Sequence, residues 1–360
     1  MSTLEGVLPR PYGKSLSNTE RNWLLGLAVA IGLVAVFTLI GWLESRGQDD
    51  RRARLVWNAS ETSTRFLAIA HTVVATSFLL SSKRMKGAKG WGWFLSLTAA
   101  GVGACFAYAA LGGKHHPLAE FLFYAYFLAH EVRDELFFYR VNGDVPAGDD
   151  PAAATRGLWL APLLVSGAIA ATFLAGAAFG IGGARRYAAA LDGVAQPGRI
   201  ALGVAVIVAT FALLLVVQRR YAKSHPGGWR GLLSHHRPIF VVFGLIYALL
   251  MVGVAATGRM YAIVAVHVSI WYVFSLKQLA SRPAPSPRPR ALSWAWVRST
   301  TAGFNVFHLG VMALVVGAAA YRAFALENAA EPHALAILVS KESFPYWTLM
   351  HVTWSWVPRS

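Results

Sequence analysis

The stretch NWLLGLAVAIGLVAVFTLIGWL, residues 22–43, runs for 22 positions without an ionisable side chain. A bilayer core of ~30 Å needs roughly 20 helical residues at about 1.5 Å each. The stretch is therefore the right length for a membrane-spanning helix. It is too long for the apolar core of a signal peptide, and no small-residue cleavage site follows it closely, so it reads as a retained span. The 21 residues before it are polar and contain Pro9 and Pro11. Ser17 and Glu20 have the spacing of a capping box just ahead of the apolar run.

Similar runs recur along the chain, at 64–82, 90–112, 117–139, 157–181, 197–217, 238–257, 259–279 and 299–321, with one further segment within 333–357. The expectation is an all-α polytopic membrane protein, a bundle of nine or ten transmembrane helices forming a single membrane domain over residues 1–360. Residues 1–21 form a cytoplasmic N-terminal segment and residues 280–298 a cytoplasmic Pro/Arg-rich linker. Within that linker Pro stands at every second position of RPAPSPRPR (282–290), which excludes a helix there.

Composition agrees. The 360 residues are 56% hydrophobic and 14% charged, against roughly 45–50% and about 25% in soluble domains. An ordinary soluble enzyme, a disordered chain and a coiled coil are excluded. Lys and Arg number 33 against 17 Asp and Glu, a formal charge of +16. On a greasy chain that excess belongs to loops held on one side of a membrane rather than to a nucleic-acid partner. With the N-terminus inside, the inner segments hold 20 of the 33 basic residues and the outer ones 12, with Arg133 inside a span. This orientation suits a bacterial inner membrane with a cytoplasmic N-terminus. Protein partners are not legible. The single Cys105 excludes a disulfide framework and a Cys-based metal site.

Ionisable residues within spans are costly and mark functional sites. His71, His130, His267, His308 and His351 each fall in a different apolar segment. In span 117–139, His130 and Asp134 lie four apart on one helical face, and Glu131 and Glu135 share the adjacent face. A carboxylate one turn from a His orients its ring as a metal ligand, and serves a proton relay equally well. The opposing reading is that 131–135 is a solvated turn beyond the end of the span. Neutral imidazole suits iron, copper and zinc. Three or four imidazoles leave an open coordination position, whereas a haem b uses two on facing helices. By depth along the spans, the five histidines are compatible with one site or with two layers. Trp271 and Tyr272 follow His267, and Trp354 follows His351. Such aromatics either line a path for a flat lipid or form an interfacial belt. Ser343 is placed to cap the last segment, with Pro345 in its first turn. Pro345, Lys341 and Glu342 argue for a half-helix rather than a full span. The pairs His115-His116 and His235-His236 read as loop residues. No phosphate-binding loop, nucleophile elbow or zinc-protease motif occurs.

These isolated histidines resemble the pattern of the Brp/Blh family of membrane β-carotene dioxygenases. That family is polytopic, lacks the desaturase His boxes and places single histidines from several spans around one non-haem iron. The matching residues here are His71, His130, His267 and His351, and His130 with Asp134 is similar to the family's second motif. The sequence departs at Ala70-His71-Thr72, where the family has Pro-His-Gly. It departs again at Trp271, where the family has a second His, with His308 as the possible substitute.

The resemblance implies an integral membrane oxidoreductase using His-ligated iron on a hydrophobic small molecule such as an isoprenoid or carotenoid. His71, His130, His267 and His351 would be the ligands and His308 a further cofactor contact. Glu131 and Asp134 would serve catalysis by orienting the ligating rings or as a proton relay, and Trp271, Tyr272 and Trp354 would line the substrate path. The alternatives from the residues alone are a proton- or cation-coupled transporter through His130, Glu131 and Asp134, or a haem-b/quinone electron-transfer subunit.

Overall fold

The computed structural model describes residues 15–44, 49–113, 116–158, 175–176, 178–180, 193–222, 227–257, 261–325, 338–340 and 342–358. Among the described residues there are helices and no strand. We number them α1 (Asn18–Glu44), α2 (Asp49–Leu80), α3 (Ala88–Ala110), α4 (Pro117–Val141), α5 (Pro151–Leu158) and α6 (Gln196–Ala222). Then follow α7 (Gly228–His235), α8 (Arg237–Thr257), α9 (Tyr261–Ala280), α10 (Trp294–Ser299), α11 (Thr301–Ala325) and α12 (Phe344–Ser355).

Five helical segments are long and apolar enough to cross a membrane: Asn18–Val36, Glu61–Leu80, Ala88–Ala110, Ala262–Ala280 and Thr301–Tyr321. The expected count of nine or ten is not reached among the described residues. Gln196–Ala212 and Arg237–Leu250 are apolar but shorter, and most of the expected span 157–181 lies outside the described residues. Helix α4 is long enough, but Glu131, Arg133, Asp134 and Glu135 interrupt its apolar sequence. The last helix has 12 residues, about 18 Å of rise, which cannot cross a ~30 Å core. It is a half-helix, as Pro345 suggests. Ser343 does not cap it through its side chain. Its hydroxyl instead donates to the carbonyls of Leu338 (2.8 Å) and Ser340 (2.9 Å).

The helices group into two compact units, one of residues 1–24 and 128–260, the other of 25–127 and 261–360. The Pro/Arg-rich linker lies within the second and carries no helix between Ala280 and Trp294.

In the first unit, α1 starts on the capping box that Ser17 and Glu20 encode. Glu20 N–H donates to Ser17 Oγ (3.2 Å), and Ser17 N–H donates to Glu20 Oε2 (2.8 Å). Asp144 accepts from the N–H groups of Asn18 (3.2 Å) and Thr19 (2.6 Å). A carboxylate there satisfies N–H groups that the helix itself leaves open and complements its dipole.

In the second unit, α2 packs against α9, α11 and α12, and α12 also lies on α3. Phe66, Ile69, Ala70, Val74, Phe304, Val311 and Val315 form the core between them. A helix surrounded on every side is apolar all round. Accordingly α2 is buried almost without a break from Ser63 to Thr72, and α9 from Ile263 to Ile270. The opposite case is α3, which exposes Trp91, Trp93, Leu95, Val102 and Phe106. Such a continuous apolar face suits acyl chains.

Candidate metal centre

The second unit brings three of the expected histidines together. His71 comes from α2, His267 from α9 and His351 from α12. His71 and His267 sit in the two stretches buried on all sides, at 2% and 1% exposure. His71 Nε2 lies 3.2 Å from His351 Nε2. One ring nitrogen from each of the three lies within 4.8 Å of the others. Nitrogens so spaced all lie within about 2.8 Å of a common point, close to metal–nitrogen bonds of about 2.0–2.1 Å. At that bond length, angles of 90–109° put two ligand nitrogens about 2.8–3.4 Å apart. The His71–His351 separation falls inside this interval.

The rings are also mutually oriented. His71 meets His351 at 4.6 Å between centroids and His267 at 5.8 Å, both edge-on. A neutral imidazole has one N–H and one lone pair. A hydrogen bond between two of the rings uses one proton and joins only those two. A cation accepts a lone pair from all three at once. The donor set therefore fits a first-row divalent ion with open positions.

Trp271, one turn after His267, packs edge-on against His71 at 4.5 Å. Where the resemblance would place a further His, this chain puts an indole wall. Phe127 meets His267 at 5.7 Å. His308 is not part of the three-nitrogen group. It lies beside Tyr272 (4.9 Å), Phe304 (5.6 Å) and Trp271 (6.3 Å), and its Nδ1 is buried without a hydrogen-bond partner. Tyr272 donates to Asn305 Oδ1 (2.7 Å). Asn305 had no place among the expected residues, although its i,i+3 spacing to His308 puts both on one face of α11. Trp354 donates its indole N–H to Thr98 Oγ1 (2.9 Å) and stacks on Phe94 of α3. It thereby anchors the helix that carries His351.

His130 and Asp134 belong to the first unit. His130 Nε2 is 3.7 Å from Asp134 Oδ2, as their i,i+4 spacing implies. Helix α4 continues through this segment to Val141, and Glu131, Asp134 and Glu135 are all buried. The solvated-turn reading of residues 131–135 is thereby excluded. Glu135 faces Trp23 and has Glu131 and Asp134 as neighbours.

No protein-family model, curated protein or solved structure matches this chain.

Proposed function

We propose that the chain is an integral membrane oxidoreductase, in which His71, His267 and His351 hold a non-haem iron that acts on a lipid-soluble substrate such as an isoprenoid or carotenoid. The observation that carries this reading is the convergence of three imidazoles from three helices within 4.8 Å. Iron held by neutral nitrogens with open positions supplies a centre for activating dioxygen. The remaining work falls to the chain. The buried stretches of α2 and α9 keep water from the nitrogens. Trp271 limits the ring positions of His71 and presents an apolar wall to a flat substrate. The five long apolar helices support a bilayer setting, in which such a substrate would dissolve. The basic loops favour a bacterial inner membrane with the N-terminus inside.

Oxygen uptake tests the reaction. The detergent-purified chain, loaded anaerobically with ferrous iron, is expected to consume dioxygen when a carotenoid or isoprenoid quinone is added. The same preparation of His71→Gln is expected to show none. Iron-loaded protein without substrate-dependent uptake would reject the oxygenase reading, and a Soret band would assign haem b instead.

A second reading rests on a different observation, the burial of His130, Glu131, Asp134 and Glu135 along one helix. Such a row suits proton movement in a coupled transporter. Proton-coupled uptake in vesicles, abolished by Asp134→Asn, would favour it.

A further inference from the structure

We propose a second metal site in the first unit, formed by Asp149, His235 and His236, for a divalent cation of the zinc class. His235 Nε2 is 3.0 Å from Asp149 Oδ2, and His236 Nε2 is 3.8 Å from the same oxygen. One donor atom from each of the three residues lies within 4.8 Å of the others.

The local sequence explains how residues 86 positions apart arrive at one point. Consecutive residues on an unbroken helix diverge by about 100°, so His235 and His236 would point apart on one. Helix α7 ends at His235, and His236 adopts φ −111° and ψ 30°. The carbonyl of His236 then accepts from the N–H of Ile239 (3.1 Å) and opens α8. Pro238, with no N–H to give, is tolerated only in such a first turn. This break swings the rings to 4.8 Å between centroids at 89°, both facing Asp149.

On the other side, Asp149 N–H donates to the Pro146 carbonyl (3.2 Å), closing a turn with Gly148 at φ +98°. That conformation calls for Gly at the third position of the turn. The neighbouring Asp150 is engaged elsewhere. Its carboxylate accepts from the N–H groups of Ala152 (3.0 Å) and Ala153 (3.2 Å) at the start of α5. Two adjacent aspartates thus have separate roles, one capping a helix and one turned to the histidines.

The second ring nitrogen of His236 has the outer partner that a ligating histidine needs. His236 Nδ1 lies 3.0 Å from the Tyr139 hydroxyl, and both residues are buried. An outer partner of this kind fixes the tautomer of a ligating histidine. With Nδ1 bearing the proton and donating to the Tyr139 oxygen, Nε2 presents a lone pair to a carboxylate oxygen. That lone pair and the carboxylate oxygen, 3.8 Å apart, are then two donors available to one cation. Two imidazoles and one carboxylate with no thiolate suit zinc, and the nitrogen share disfavours magnesium and calcium. The side chains of His235 and Asp149 are 27% and 34% exposed, which gives an ion a route in and leaves room for water as a further ligand. Bound there, the cation would tie the turn after α4 to the α7–α8 junction.

Calorimetric titration of zinc into the chelator-stripped, full-length protein in detergent tests this. The titration uses the His267→Gln background, which takes away the residue common to the other candidate donor groups. One equivalent of zinc is expected to bind. Asp149→Asn should weaken it by about 100-fold or abolish it, and Tyr139→Phe should weaken it by about 10-fold. Asp150→Asn removes the same charge one residue away and should leave the affinity unchanged. The proposal is overturned if the background protein binds no zinc, or if Asp149→Asn and Asp150→Asn have equal effects. Circular dichroism of each variant checks that the helices remain. Zinc binding here is independent of iron at the other centre, so either proposal can fail alone.

Discussion

Replacing His267 by Ala is expected to lower the iron content of the purified protein from near one per chain to background. His267 is 1% exposed, and its ring belongs to the only three-nitrogen group among the described residues. Removing a partner that merely orients a ligand costs about 10–100-fold in metal affinity, so loss of a ligand should cost at least the upper figure. His267→Gln fills more of the volume and avoids much of the cavity penalty that truncating a large buried side chain incurs. It should lose iron to the same degree while unfolding nearer the wild-type temperature. His308→Ala supplies the contrast. His308 packs with Tyr272 and Phe304 outside the three-nitrogen group, and its removal should leave iron content unchanged. Elemental analysis of the four proteins, each confirmed monodisperse in detergent, gives the answer.

The second large effect concerns Gly26. A Cβ there would overlap Ile270 Cγ1 and stand 2.8 Å from both the backbone nitrogen and the Cα of Ile270. Backbone cannot yield as a flexible side chain does, so α1 and α9 would have to separate locally. Ile270 lies one turn from His267, and the displacement would reach the histidine group. Overpacking of this kind costs about 1–3 kcal/mol, and Gly26→Ala should lower the thermal midpoint and reduce iron retention. Gly32, on the same helix, has nothing within 4 Å of an added Cβ. There the gain in helix propensity, up to about 1 kcal/mol, should raise stability instead. Opposite shifts from the same substitution on one helix would locate the close contact at Gly26. Equal shifts would contradict it.

Much of the helical frame is legible in the residues because the signals are local. The Ser17–Glu20 box opens α1 as its spacing predicts, and the alternating prolines exclude a helix from 282–290. Pro345 cuts the last segment to a half-helix. Of the nine or ten expected spans, five are long and apolar enough among the described residues, and most of span 157–181 lies outside them. Helix α4 takes charged residues into an interior that sequence could only set against a solvated turn.

The site was legible in its residue types but not in its grouping. His71, His267 and His351 converge through packing of α2, α9 and α12, contacts between residues as much as 280 positions apart, and spacing along the chain carries no record of them. His308 has the same sequence signature and takes a different place. The Asp149 cluster escaped for a related reason. His235-His236 reads as an ordinary loop pair until the helix break at His236 and the turn at Gly148 bring a carboxylate to it.

The most direct test of the central claim is X-ray absorption at the iron edge of the full-length protein, reconstituted anaerobically in detergent. The account predicts near one iron per chain, with nitrogen neighbours at about 2.0–2.2 Å and outer-shell scattering from three imidazole rings. A spectrum without imidazole scattering, or a protein that retains no iron, would contradict it.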